Sequence, residues 1–248
     1  MAQYILGRDA EVERRRLALL EAHHDPDSIA ALERTGVGAG WRCLDVGAGS
    51  GSISRWLLAR GAEVLATDLD ISGLDGIDAR VHDITGEDEL PGPFDLVHTR
   101  LLLLHLPARE AVARRLVELV RPGGWVVAGD IDFTPVAMLE PSAAWERTWA
   151  AWCAATTAAG WDLACGPKLA GLLAGAGLAE VEEASSPFAG PGGIPPLAIL
   201  SLAFERLRER LVAHGAADAD VTAARAALED PARSFTAPTT WTAGGRAV

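Results

Sequence analysis

LDVGAGSGSIS, residues 44–54, is the stretch that decides how the chain is read. An apolar run that reads as a strand meets three glycines, Gly47, Gly49 and Gly51, and leads into a helical pattern from Ser52. Strand, glycine turn and helix let a backbone approach a ligand closely, with free N–H groups and a positive dipole end facing it. Several cofactors use this turn. A dinucleotide fingerprint wants G-x-G-x-x-G, and Ser52 stands where its third glycine would be. A nucleotide P-loop wants a closing Gly-Lys-Ser/Thr, and this loop has no lysine. Both phosphate-binding readings are weakened.

Outward from that turn, strands and helices alternate. Strand-like runs occupy residues 41–47, 63–69, 79–84, 94–99 and, after the breaker RPGG, 125–133, with helical patterns at 50–61 and 108–120. Near-continuous apolar strands in this rhythm predict an α/β fold with a mostly parallel sheet covered on both faces. Ahead of it, residues 9–23 and 25–36 predict two helices, the second capped by Asp27 or Ser28 and ended by Gly36. Beyond residue 133 the rhythm breaks into a tryptophan-rich helix with Trp145, Trp149 and Trp152 on one face. A helix near 167–177, a strand at 178–186, one long helix at 197–215, a short helix at 218–230 and a last strand within 234–245 follow. The expectation is one domain: a helical cap (1–40), a cofactor-binding core (41–133), a substrate-lid insert (134–165) and the rest of the sheet with a helical insert (166–248).

Bulk properties exclude several functions. A net charge of −12 with no basic stripe disfavours nucleic acid. No apolar run approaches the roughly 20 residues of a membrane span, and MAQYILGRDAEVERRR lacks the order of a secretory signal, so a cytoplasmic address is expected. Cys43, Cys153 and Cys165 are odd in number and have no CxxC spacing, which reads as reduced thiols with no metal site.

The D-x-G-x-G-x-G pattern from Asp45 to Gly51 resembles the first motif of class I S-adenosylmethionine-dependent methyltransferases. The resemblance continues through Asp68 in VLATDL, Asp83 in VHDI and FDLVHTRLLLLHLP followed by LVRPGGWVVAGD. It extends over the chain to the small-molecule methyltransferases of bacterial, especially actinomycete, secondary metabolism, through the YILGRDAEVERRRL start, GDIDF and the tryptophan-rich insert. It implies a Rossmann-like seven-stranded sheet with the last strand antiparallel.

The same resemblance implies a binding set for S-adenosyl-L-methionine and its product S-adenosyl-L-homocysteine. Gly47, Gly49 and Gly51 would pass under the methionine end, with Asp45 holding the turn and bonding near the amino group. Asp68 would take the ribose hydroxyls, and Leu69 and Ile84 would sandwich adenine. Asp83 would accept from its exocyclic amine, Thr99 and Arg100 would give backbone contacts, and Tyr4 would fold over the cofactor.

The expected reaction is methyl transfer to an aromatic or glycosylated secondary metabolite, with oxygen favoured over nitrogen or carbon. His105 would be general base and Asp130 would orient it, both at the carboxyl edge of adjacent strands. Asp132, Trp145 and Trp149 would face the acceptor. A metal is not expected, because the fourth strand ends on His98 and Thr99, not on a carboxylate. The alternatives are a cofactor-binding protein that has lost methyl transfer, such as a cyclisation catalyst, and a nicotinamide-dependent dehydrogenase. The state expected is monomer or homodimer.

Overall fold

The computed structural model describes residues 10–140 and 142–248, and only the backbone of 10–13. Helix α1 (Ala10–Arg34) precedes β1 (Arg42–Val46), α2 (Ser52–Ala59), β2 (Glu63–Asp68), β3 (Asp78–Val81) and β4 (Phe94–Arg100). A 3₁₀ turn (Leu103–His105), α3 (Arg109–Glu118) and the long β5 (Val120–Asp132) complete the first part. Then come β6 (Ala137–Met138), α4 (Ala143–Ala158), α5 (Leu169–Gly175), β7 (Leu178–Ser186), β8 (Ala189–Pro191), α6 (Pro195–Arg206), α7 (Arg208–Ala213), α8 (Asp218–Glu229), β9 (Ser234–Thr236) and β10 (Thr239–Ala247).

Among the described residues a seven-stranded sheet runs β3-β2-β1-β4-β5-β10-β7. Neighbours from β3 to β5 pair parallel, and β10 pairs antiparallel with both β5 and β7. The expected sheet, last strand reversed, is present. Its apolar strands are explained by burial on two faces. Alternate residues Leu44, Val97 and Val126 join Leu116 of α3 and Leu173 of α5 in one core. Their neighbours Cys43, Leu96 and Val127 join Leu57 of α2 and Leu32 of α1 in the other.

Four local expectations are corrected. The two N-terminal helices are one, with Pro26 inside it. Pro26 removes a helical hydrogen bond, but its neighbours are tied to the body: His24 to Thr240 (3.1 Å), Asp25 to Arg100 (2.6 Å) and Asp27 to Ser186 (2.8 Å). The third strand stops at Val81, so Asp83 lies beyond it. The stretch 197–215 is two helices that meet at Leu207. The final segment divides at Pro238, which has no N–H for a ladder: β9 joins β6 and β8 in a small sheet, and β10 enters the main one. No helix among the described residues is long and apolar enough to cross a membrane.

Candidate active site

The glycine turn is fastened from beneath. Asp45, 2% exposed, accepts from Ser54 Oγ (2.6 Å) and pairs with His98 Nδ1 (2.8 Å), so one carboxylate joins β1, α2 and β4. Burial alone would raise its pKa, but the bond to His98, that residue's charge and the Ser54 hydroxyl hold it below the usual carboxylate value. Each oxygen takes one of these bonds, which makes Asp45 an anchor buried beneath the turn. The N–H groups of Gly47 and Ala48 donate to Thr67 O (2.7 and 3.0 Å), and the Gly49 N–H donates to Asp68 Oδ2 (2.8 Å). Gly51 has a φ of +83°, and a Cβ there would come within 2.8 Å of Leu74 Cδ2 and Ile77 Cδ1. A side chain there would be strained by the backbone and would have to displace the tips of Leu74 and Ile77.

Asp68 therefore ends β2 with its carboxylate against the loop. Burial raises its pKa, opposed by the N–H groups of Gly49, Asp70 and Leu69. Asp83 accepts from the hydroxyl (2.6 Å) and N–H (2.9 Å) of Thr85, whose hydroxyl is the main cause of its lowered pKa. Leu69 is 58% exposed, whereas Ile84 is in the core at 5%. The Thr99 hydroxyl donates to Val46 O (2.9 Å), and Arg100 pairs with Asp25 of α1. Tyr4 lies outside the described residues.

At the ends of β4 and β5 the expected catalytic pair is not joined. Asp130, 1% exposed, receives the Leu104 N–H (2.9 Å), its neighbour Ile131's N–H (3.1 Å) and the Cys165 thiol (3.7 Å). His105 sits on the Trp161 ring instead, edge-on at 4.2 Å, because the Leu104 amide claims the carboxylate one residue earlier. Burial, with Arg16 of α1 beside it, pushes the imidazole down to about 3. Asp132 is likewise engaged, by the Thr134 N–H (2.8 Å) and hydroxyl (2.6 Å).

Burial pushes Asp130 up to about 7, although three hydrogen bonds pull the other way. Its folded pKa lies above the unfolded value near 4. The stability it contributes is therefore full below about pH 4 and lost as pH rises to about 7, a difference on the order of 4 kcal/mol. Urea unfolding of wild type and Asp130→Asn across this range should show the decline flattened in the variant. Parallel slopes would remove the assignment.

The insert departs from expectation. Trp145, 3% exposed, packs on Phe204 and Phe235. Trp149 is half-buried between Trp145 and Trp152, stacked on each at 5.8 and 4.9 Å. It is Trp161, not singled out from sequence, that lines a cleft of about 510 Å³ with Pro107, Arg109, Thr134, Asp162 and Leu163. Bonds from Phe133 N to Leu163 O (2.7 Å) and Asp162 N to Leu104 O (2.9 Å) bring that segment to the carboxyl ends of β4 and β5. His98 and Ser54 were also missed as anchors, although the apolar setting of His98 in FDLVHT marks it for burial and hence for a partner. Among the described residues no His, Cys, Asp and Glu group could hold a metal ion.

Comparison with known proteins adds the following. A family model described as a methyltransferase domain matches residues 6–183. A methyltransferase of Strobilurus tenacellus is 35% identical over 139 residues, 52% of this chain and 50% of its own. A ubiquinone biosynthesis O-methyltransferase of Pseudomonas aeruginosa is 35% identical over 119 residues, 43% of this chain and 51% of its own. The chain thus spans about half the length of these curated relatives. Among solved structures, phosphoethanolamine N-methyltransferase 2 of Haemonchus contortus, in complex with S-adenosyl-L-methionine, aligns over 100% of this chain and 60% of its own. Its TM-score is 0.60 at 17% identity, a likeness of fold.

Proposed function

The chain belongs to the methyltransferase-domain family, and from that premise we propose that it moves a methyl group from S-adenosylmethionine to a small-molecule acceptor. The hydrogen bond from the Gly49 N–H to Asp68 Oδ2 carries the reading. It fixes an acidic side chain beside a glycine turn, and a carboxylate with about four acceptor sites has room for further hydrogen-bond donors beyond the N–H groups of Gly49, Asp70 and Leu69. Vicinal ribose hydroxyls are such donors. Exposed Leu69 lies next to Asp68 and can cover one face of a purine, while buried Ile84 would back the site from the core and Asp83 would meet the amine edge. These residues fit the cofactor.

When bound, S-adenosylmethionine would supply an electrophilic methyl on a sulfonium, leaving S-adenosylhomocysteine, and the proton of the acceptor hydroxyl would pass to solvent. The work left to this chain is alignment, which can supply most of the needed rate. Thr99 and Arg100 end β4 beside the glycine turn, and the cleft under Trp161 opens at the neighbouring strand end. An acceptor in that cleft meets one aromatic wall and the polar groups of Thr134 and Asp162. We read the acceptor as an aromatic or glycosylated secondary metabolite methylated on oxygen. The O-methyltransferase of ubiquinone biosynthesis among the relatives supports oxygen. His105, pushed down to about 3 with Asp130 turned elsewhere, is neutral at pH 7 and a weak base. Its role is to back Trp161.

Incubation with methyl-labelled cofactor and a panel of phenolic and glycosylated acceptors tests the proposal. Label in the acceptor, with one S-adenosylhomocysteine formed per methyl, is expected; bound cofactor that is never turned over would contradict it. With an acceptor in hand, His105→Ala should lower kcat less than about tenfold, since a poised general base is worth about 10²–10⁴. A loss within that larger range would make His105 the base after all.

A further inference from the structure

Helix α3 does more than cover the sheet. Among the described residues no helix or strand lies between β3 and β4, so the turn at 83–88, which carries Asp83 and Ile84, has no regular ladder of its own. Side chains serve its carbonyls instead. Half-buried Arg115 of α3 donates through Nη1 to Ile84 O (3.0 Å) and to Gly86 O, and through Nη2 to Asp88 O. Buried His82 donates its Nε2–H to the same Asp88 oxygen (3.1 Å), since a carbonyl can only accept. Within the turn the Gly86 N–H donates to Asp83 O (2.9 Å), and a Cβ on Gly86 would stand 3.2 Å from that oxygen.

A guanidinium carries five N–H donors in a rigid planar fork, so one arginine can fix several oxygens at once, whereas an ammonium is a single point on a flexible stem. Here the fork meets alternate carbonyls, at 84, 86 and 88. Two of them flank Thr85, whose hydroxyl and N–H hold the Asp83 carboxylate. Contacts thus run from α3 to the turn, and through Thr85 to Asp83. Without the Arg115 head group the carbonyls on both sides of Thr85 lose a donor, and Asp83 loses its fixed place. We propose that Arg115 is the positioning residue for base selectivity in the cofactor site: by fixing this turn it holds Asp83 where the carboxylate accepts an exocyclic amine and repels an oxo group. The inference rests on the S-adenosylmethionine reading above. Arg115 acts through the turn and not by touching the base.

Calorimetry with two ligands tests it: S-adenosylhomocysteine, and S-inosylhomocysteine, in which an oxo group replaces the exocyclic amine of the base. Wild type should prefer S-adenosylhomocysteine by about 10- to 100-fold, the range of one hydrogen bond to a charged group. Arg115→Met should reduce that preference to less than about fivefold, and Arg115→Lys, which can keep one of the carbonyls, to a value in between. A residue that only stabilised the fold would shift Tm and leave the preference of the folded molecules unchanged. An unchanged preference in Arg115→Met, equal weakening for both ligands, or a wild-type protein with no preference would overturn the positioning role while leaving the cofactor reading in place. If the methionine variant does not fold, the lysine variant decides by the same ratio. A wild-type protein that binds neither ligand would overturn both.

Discussion

Asp68→Ala is expected to raise the Kd for S-adenosylhomocysteine by about 10²-fold or more. Two hydroxyl groups on one carboxylate are charge-assisted bonds of roughly 1.5–3 kcal/mol each, and losing both is enough for that change. A second effect adds to it. Without Asp68 the Gly49 N–H loses its acceptor, and the turn that passes under the ligand is released from β2. Asp68→Asn separates the two contributions, since its amide oxygen can still accept from Gly49 but cannot take two hydroxyls as a carboxylate does. Its Kd should fall between those of wild type and Asp68→Ala. An alanine variant with wild-type affinity would remove the ribose assignment.

Trp152→Ala should cost about 3–5 kcal/mol of stability, the range for deleting a fully buried large aromatic. Trp152 is 1% exposed and is enclosed by Trp149 (4.9 Å), Phe133 (4.7 Å) and Trp161 (6.0 Å), so it fastens α4 to the end of β5 and to the wall of the cleft. Half-buried Trp149 should cost less when truncated, because part of its surface is already in water. Urea unfolding of the two variants gives the order directly. If Trp149→Ala proved the more costly, Trp152 would not be the centre of the seam between α4 and β5.

The expectations that held, and those that failed, separate along a physical line. β1, β2 and β4 were legible because burial on both faces demands short, nearly unbroken apolar runs bounded by turns, and LDV and FDLVHT have that form. The turn at Gly47 to Gly51 was legible because left-handed backbone restricts the residue type. Pro26 misled because its local effect is to break a helix, whereas bonds from His24, Asp25 and Asp27 to distant strands hold this helix together. The pairing of His105 with Asp130 failed for a similar reason. Strand order brought both to one edge, but the Leu104 amide, adjacent to His105, took the carboxylate. Trp145, Trp149 and Trp152 showed the right face of α4, but only the packing of Phe204, Phe235 and Phe133 tells that this face is interior. Trp161 has no periodic partner in the sequence, and its place on the cleft depends on contacts that sequence spacing does not encode.

The glycine turn is expected to seat S-adenosylmethionine and not a dinucleotide. Titrating the wild-type protein with S-adenosylhomocysteine and, separately, with NAD⁺ tests it most directly, because both ligands carry an adenosine ribose that Asp68 could hold. Saturable one-to-one binding of S-adenosylhomocysteine is expected, with no heat from NAD⁺. Saturable binding of NAD⁺ with none of S-adenosylhomocysteine would contradict it.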